Sequence, residues 1–299
     1  VQWNPVAASP IGRNGGQVLG VFGAADLAGA SGQPFSSTIR FQRLHTMEGW
    51  IAELEPPQWD PELMGSIDGE LAAKGEQLFA DNCAGCHNMA PYEMTDPADN
   101  AFGQSFIKIG KIDYEKVGTD PAYVESLSQR LVETNQATAR LMDGKPVVPA
   151  AEFFLTTVGA VIQTGMQDAG LSEEQQVAFN GFRFTRDDQG NLQPYTPKSI
   201  TKLKASPLTG VWATGPYLHN GSVPTVYELL SPPEERRDVF WTGGRELDLQ
   251  RLGFVSTNAP GRFRYDTSLP GNGNGGHAFP RDGLSHAQRM AVIEYLKTQ

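Results

Sequence analysis

Asp68-Gly-Glu-Leu-Ala-Ala-Lys-Gly-Glu-Gln-Leu-Phe-Ala-Asp-Asn-Cys-Ala-Gly-Cys-His87 is the stretch on which the reading of this chain turns. It holds both cysteines of the 299-residue sequence, Cys83 and Cys86, followed at once by one of its five histidines, His87. A Cys-x-x-Cys-His run is the attachment signal for a covalent c-type haem. Two thiols one helical turn apart lie on the same side and can add to the two vinyl groups on one haem edge, while the imidazole of His87 reaches the iron. Three other chemistries fit less well. A structural zinc site needs four ligands, and no second cysteine pair or closely spaced histidine pair is present. A thioredoxin-like redox pair needs a strand-to-helix setting in a βαβ pattern, which is missing. A disulfide between residues three apart would leave the trailing histidine unexplained.

The residues leading to the motif read as a helix. Leu71, Gly75, Leu78 and Phe79 recur at helical spacing, Asp68 is placed to cap the start, and Glu70 sits in the first turn. Gly75 costs about 1 kcal/mol in a helix interior, so its presence predicts a close crossing by another element. The expected partner is a terminal helix over about Ser285 to Lys297, with Met290, Ile293, Tyr295 and Leu296 as its apolar face.

Working outward, 39% hydrophobic content in a chain of this length can bury one large core or two modest ones. The formal charge is −10, from 34 acidic and 24 basic residues without a Lys/Arg block, which argues against nucleic acid as a partner. Ordinary solubility accounts for this charge better than an acidic docking face does. No run of eighteen apolar residues occurs; Phe153 to Ile162 is broken by Thr156, Thr157 and Gly159 and suits a buried helix, so no membrane span is expected. The first residues, Val-Gln-Trp-Asn, carry neither an initiator Met nor a basic and apolar leader. A removed signal or a longer parent chain is therefore expected.

Glycine and proline are abundant, at 33 and 21, and residues 1–45 show little periodicity, so that segment reads as loop. Helices are expected at about 46–55, 121–142, 152–167, 172–180 and 225–230, and a small hairpin from 182–185 and 192–195. The fold class is mainly α with long irregular loops.

Gly210 to Leu230 reads Gly-Val-Trp-Ala-Thr-Gly-Pro-Tyr-Leu-His-Asn-Gly-Ser-Val-Pro-Thr-Val-Tyr-Glu-Leu-Leu, a turn-rich loop with a histidine before a helix start. With the attachment motif upstream, it resembles the second haem domain of the bacterial di-haem cytochrome c peroxidase superfamily. Pro216 to Thr225, Gly261 to His277 and the opening Val-Gln-Trp-Asn resemble the rubber-oxygenase-like branch in particular. The resemblance implies a class I cytochrome c-like haem domain over 66–299, with helices crossing as expected for Gly75. Residues 1–65 then resemble the tail of a first haem domain or an inter-domain bridge. The family has two attachment motifs and this chain has one, so the resemblance covers only the C-terminal, second-haem half, and the catalytic haem is missing from the sequence.

Electron-transfer cytochromes usually fill both axial positions of the iron. The candidates for the sixth ligand are His45, His219, His277 and His286, with the methionines behind them. His277 ends a Gly-Asn-Gly-Asn-Gly-Gly-His loop and matches the distal histidine of the second haem in the rubber-oxygenase-like branch. His219 is the second choice. Met89, Met94, Met142, Met166 and Met290 read as core fillers. By the same resemblance, the carbonyls of Thr214 and Pro216 match positions that bind an inter-domain calcium, and Trp3 matches a tryptophan between two haems.

The expected function is electron transfer by one covalent low-spin haem, in the periplasm or outside the cell. The partner would be a redox protein or a second haem domain. Two alternatives stand: part of a di-haem peroxidase or rubber-type dioxygenase whose catalytic haem lies elsewhere, and a haem-bearing subunit of a larger assembly.

Overall fold

The structure, a computed structural model, describes residues 10–100, 103–180, 184–186, 189–194 and 202–299. Trp3 and the opening Val-Gln-Trp-Asn lie outside the described residues. In chain order the helices are α1 (Pro10–Val21), α2 (Phe41–Glu53), α3 (Pro61–Met64), α4 (Gly69–Asn82), α5 (Tyr114–Val117), α6 (Ala122–Gln129), α7 (Gln136–Leu141), α8 (Ala150–Asp168), α9 (Glu173–Asn180), α10 (Val226–Leu229) and α11 (His286–Leu296). The strands are β1 (Ala25–Asp26), β2 (Ser36–Ser37), β3 (Gly110–Asp113), β4 (Leu131–Glu133), β5 (Val147–Pro149), β6 (Phe184–Arg186), β7 (Leu192–Pro194), β8 (Lys202–Ala205), β9 (Val239–Thr242) and β10 (Phe263–Asp266). Among the described residues the strands pair only two by two, each pair antiparallel.

Two compact units share the chain, and each is built from separated segments. The first takes residues 1–54, 94–108 and 124–200; the second takes 55–93, 109–123 and 201–299. The expected boundary at residue 65 is a line of resemblance. Spatially the chain first changes unit after Leu54, and later stretches of the 66–299 region return to the first unit.

In the first unit, α1, α2 and α8 enclose a core that includes Ile11, Phe41, Leu44, Val161, Ile162 and Met166. Here the loop expected over residues 1–45 is corrected, because Pro10–Val21 is a helix. Its glycines are points of close packing: a Cβ on Gly15 would meet the side chain of Ile162 at 3.4 Å, and one on Gly16 would meet Phe154 at 3.5 Å. Burial of Ile11 against α8 outweighs the poor helix propensity of the glycines. The single helix expected over 121–142 is also corrected. It divides into α6, β4 and α7, since Leu131–Glu133 pairs with Val147–Pro149 and Asn135 starts a fresh helix with a capping box. The Asn135 Oδ1 accepts from the amides of Ala137 and Thr138 at 3.0 and 2.9 Å, and the Thr138 hydroxyl accepts from the Asn135 amide at 2.9 Å. Over its described part the small hairpin is present as β6 and β7, with Thr185 opposite Gln193.

In the second unit α4 and α11 cross. Asp68 caps α4, its side chain accepting from the amides of Glu70 and Leu71. Ser285 caps α11 in a capping box with Gln288. The crossing falls at Gly75, where a Cβ would overlap the Ala291 carbonyl oxygen, so only glycine fits. Phe79 packs on Tyr295 with ring centroids 5.3 Å apart. At one end the pair is tied by Glu294, which accepts from the Asp68 amide at 2.7 Å and from Lys297 Nζ at 2.6 Å. Trp59, Trp212, Val223, Val226, Leu252 and Leu284 complete this core. Among the described residues, no helix is long and apolar enough to cross a membrane.

Candidate functional site

Helix α4 delivers the cysteine motif as expected. Its hydrogen-bonding runs on past Asn82 in a continuing turn: the Cys83 amide donates to Phe79 O at 2.8 Å, and the amides of Cys86 and His87 donate to Cys83 O at 3.0 and 2.9 Å. Both cysteines are partly buried free thiols. Burial, with Cys86 close by, pushes the Cys83 thiol up to about 11, so it is protonated at neutral pH.

His87 is fixed by a residue that its local sequence does not announce. The ladder of β3 and β8 runs against the motif, with Gly110 opposite Ala205. A Cβ on Gly110 would overlap Cys86 O, so glycine is what lets the strand approach. Ser206 follows β8, and its carbonyl oxygen lies 2.9 Å from His87 Nδ1. A carbonyl can only accept, so Nδ1 carries the proton and Nε2 keeps a free lone pair. Burial lowers the His87 pKa, which keeps that lone pair available at neutral pH.

Facing His87 is His277, with ring centroids 6.1 Å apart and planes inclined by 58°. Two metal–imidazole bonds of about 2 Å each, in line through one ion, place ring centroids about 6 Å apart. Burial first, then the charges of His87 and Arg236, push His277 down to about 4, so it too is neutral at pH 7. Its Nδ1 is buried and has no hydrogen-bond partner among the described residues. The cysteine pair, the oriented His87 and the buried His277 facing it are a donor set that fits a haem.

The glycine-rich run before His277 is held tightly on all sides. Asn220 Nδ2 donates to the carbonyls of Gly271 and Gly273 at 3.1 and 2.9 Å, and the Ser222 hydroxyl donates to Gly273 O at 3.0 Å. Asp120 Oδ2 accepts from the Gly273 amide at 3.0 Å. Asn274 Nδ2 donates to Arg237 O at 3.1 Å, and the His277 amide donates to Val117 O at 2.8 Å. Gly276 has φ +83° and packs so closely on Thr119 that a Cβ would lie 2.5 Å from its amide nitrogen. His277 itself has φ +51°, a left-handed conformation uncommon outside glycine, which the surrounding bonds hold in place. The glycines thus permit close approach and a reversed backbone rather than mobility.

The other candidates are engaged elsewhere. His219 Nδ1 is 3.0 Å from the Thr119 hydroxyl, and its ring lies 6.2 Å from that of Tyr123. His286 opens α11, with Nδ1 2.9 Å from the Tyr227 hydroxyl. His45 lies on α2 of the first unit, stacked on Phe179 at 4.1 Å. Met142 and Met166 are buried in that unit, where Met94 is largely exposed, while Met89 and Met290 pack against the core of the second. Thr214 ends the short turn Val211–Ala213, its hydroxyl donating to Val211 O at 3.0 Å, and Pro216 follows two residues later. Among the described residues, no group of three or more His, Cys, Asp and Glu side chains converges to hold a metal ion.

Ser206, Asp120, Asn220, Ser222 and Arg236 are the functional residues that local reading misses. Only Asn220 and Ser222 had a signal, as part of the Pro-Tyr-Leu-His-Asn-Gly-Ser loop.

The RoxA-like, cytochrome c-like family profile matches residues 203–242, the segment that carries Ser206, Asn220, Ser222 and Arg236, and relates the chain to cytochrome c-like, haem-binding proteins. The chain is 34% identical to the uncharacterized protein y4iJ of Sinorhizobium fredii (strain NBRC 101917 / NGR234), over all of its own length and 52% of the relative. It is 26% identical to the uncharacterized protein y4iM of the same organism, over 78% of this chain and 49% of the relative. The chain therefore spans about half the length of the curated relatives it matches.

Proposed function

We propose that this chain is an electron-transfer c-type cytochrome unit, carrying one covalent haem on Cys83 and Cys86 with His87 and His277 as axial ligands. The observation that carries this is the facing pair of neutral imidazoles at 6.1 Å, one oriented by Ser206 and the other with an unsatisfied buried nitrogen. Haem, when bound, supplies a one-electron couple.

The chain's own residues hold it ready. The Ser206 carbonyl keeps the His87 proton on Nδ1 and makes the opposite nitrogen a better donor. Asn220, Ser222 and Asp120 fix the backbone leading to His277, so that ligand stays in place with little rearrangement between oxidation states. The crossing of α4 and α11 holds the helix that leads into the attachment turn. If His87 and His277 both held the iron, the chain would leave no place there for oxygen or peroxide. The reading includes a class I cytochrome c-like fold for the second unit and a periplasmic or extracellular setting, with a redox protein or a second haem domain as partner.

The chain's length relative to its relatives favours a second reading, in which this unit serves a longer protein with a catalytic haem outside these 299 residues. One experiment addresses both. The chain is produced with a c-type maturation system, its haem is counted by pyridine haemochrome, and its spin state is read by absorption and electron paramagnetic resonance. One low-spin haem per chain that resists carbon monoxide and cyanide is expected. A five-coordinate, high-spin haem that binds either readily would overturn the electron-transfer reading.

A further inference from the structure

Arg236 is only 5% exposed, yet among the described residues its hydrogen bonds all end on backbone carbonyl oxygens. Nε donates to Glu228 O at 3.0 Å and Ser231 O at 3.2 Å, and Nη2 donates to Leu229 O at 3.1 Å. Nη1 donates to Asn274 O at 2.6 Å and Gly276 O at 2.8 Å. One arm of the fork thus grips the end of α10 and the turn beyond it, while the other grips the two carbonyls that bracket Gly275, just before His277. Two carboxylates, Glu228 and Glu234, act on Arg236 through their charge without bonding it, and that of Glu228 takes Arg237 Nε at 2.9 Å and Arg237 Nη2 at 2.5 Å.

From this arrangement we infer that Arg236 is the positioning residue for His277 and a fixed buried positive charge that favours the reduced state of the bound group. The inference rests on His277 being the sixth ligand and deepens that assignment. A guanidinium cannot be deprotonated in a protein, and its planar fork spans two carbonyls that an ammonium would serve less rigidly. A charge in the interior is poorly screened by salt and acts at long reach. Reduction adds one electron to the iron, ferric to ferrous, taken in the test from a small-molecule mediator. It lowers the local charge by one, and a neighbouring cation favours that change. Position and charge are separable, because lysine keeps the charge and loses the fork while glutamine loses both.

The test uses the haem-loaded protein with H277A, R236K and R236Q, and reads the spin state, the midpoint potential in a mediated titration and the rate at which added imidazole replaces the protein ligand. H277A becomes high-spin. R236K keeps a potential close to that of the parent, but imidazole enters at least ten times faster. R236Q shows the same faster entry, and its reduced-to-oxidised ratio at a fixed potential falls at least tenfold, equivalent to 59 mV for one electron. Unchanged imidazole entry and unchanged potential in R236Q, beside a high-spin H277A, would overturn the role of Arg236 and leave the ligand assignment standing. An H277A protein that stays low-spin removes the assignment and this inference together. Should R236Q fail to fold, R236K decides: imidazole entry at the parent rate overturns the positioning role.

Discussion

His277 acts as a neutral ring, and its neutrality has a consequence for stability. In an unfolded chain its imidazole takes up a proton near pH 6.5, whereas burial in the folded chain, helped by His87 and Arg236, holds it neutral down to about 4. Between those values the unfolded state binds more protons than the native one, so stability rises with pH across the window. The contribution is therefore complete above about pH 6.5 and is lost progressively towards pH 4, amounting to on the order of 3 kcal/mol. Urea midpoints of the haem-free parent and of haem-free His277→Gln, followed from pH 7 to pH 4.5, are expected to converge as the pH falls; parallel curves would count against it. At this scale the sequence was informative where chemistry imposes spacing, as in Cys83, Cys86 and His87. It was silent on Ser206, because a backbone carbonyl can be offered by any residue. Arg236 was equally hidden, since nothing in Glu-Glu-Arg-Arg-Asp distinguishes the buried arginine from its half-exposed neighbour Arg237.

Among the elements, the crossing of α4 and α11 is the sharpest constraint. Gly75→Ala would drive a methyl group into the Ala291 carbonyl, so helix separation rather than side-chain movement must absorb it. The expected loss is at least about 2 kcal/mol in chemical denaturation. Gly69→Ala on the same helix is the control: a Cβ there meets nothing within 4 Å, and stability is expected to hold or to rise by up to about 1 kcal/mol. Equal losses at the two positions would argue against the crossing. This element was legible because a glycine inside an otherwise regular helical pattern needs a reason. The opposite held for α1, where glycines suggested a loop and tertiary packing against α8 made a helix. It held again over 121–142, where one helix was expected and the pairing of Leu131–Glu133 with Val147–Pro149 made a strand before a fresh cap at Asn135.

For the molecule as a whole, the formal charge of −10 and a sequence isoelectric point near 5.0 set how small redox molecules approach. Cationic one-electron mediators are expected to reduce the haem-loaded protein faster than anionic ones of similar potential, with the difference shrinking as salt is raised. Stopped-flow rates at low and at roughly 0.5 M salt measure it, and rates independent of mediator charge would contradict it. Charge is read directly from composition, but the partition of the chain is not. Pairings such as Gly110 with Ala205 join residues far apart in sequence, and no local pattern in either strand names its partner. The same distance matters in the life of the molecule. Helix α4 and the two thiols that follow it are made well before α11, which packs on Phe79 and closes the crossing at Gly75. Until α11 has been made, the helix that ends in the attachment turn stands without the partner it crosses at Gly75.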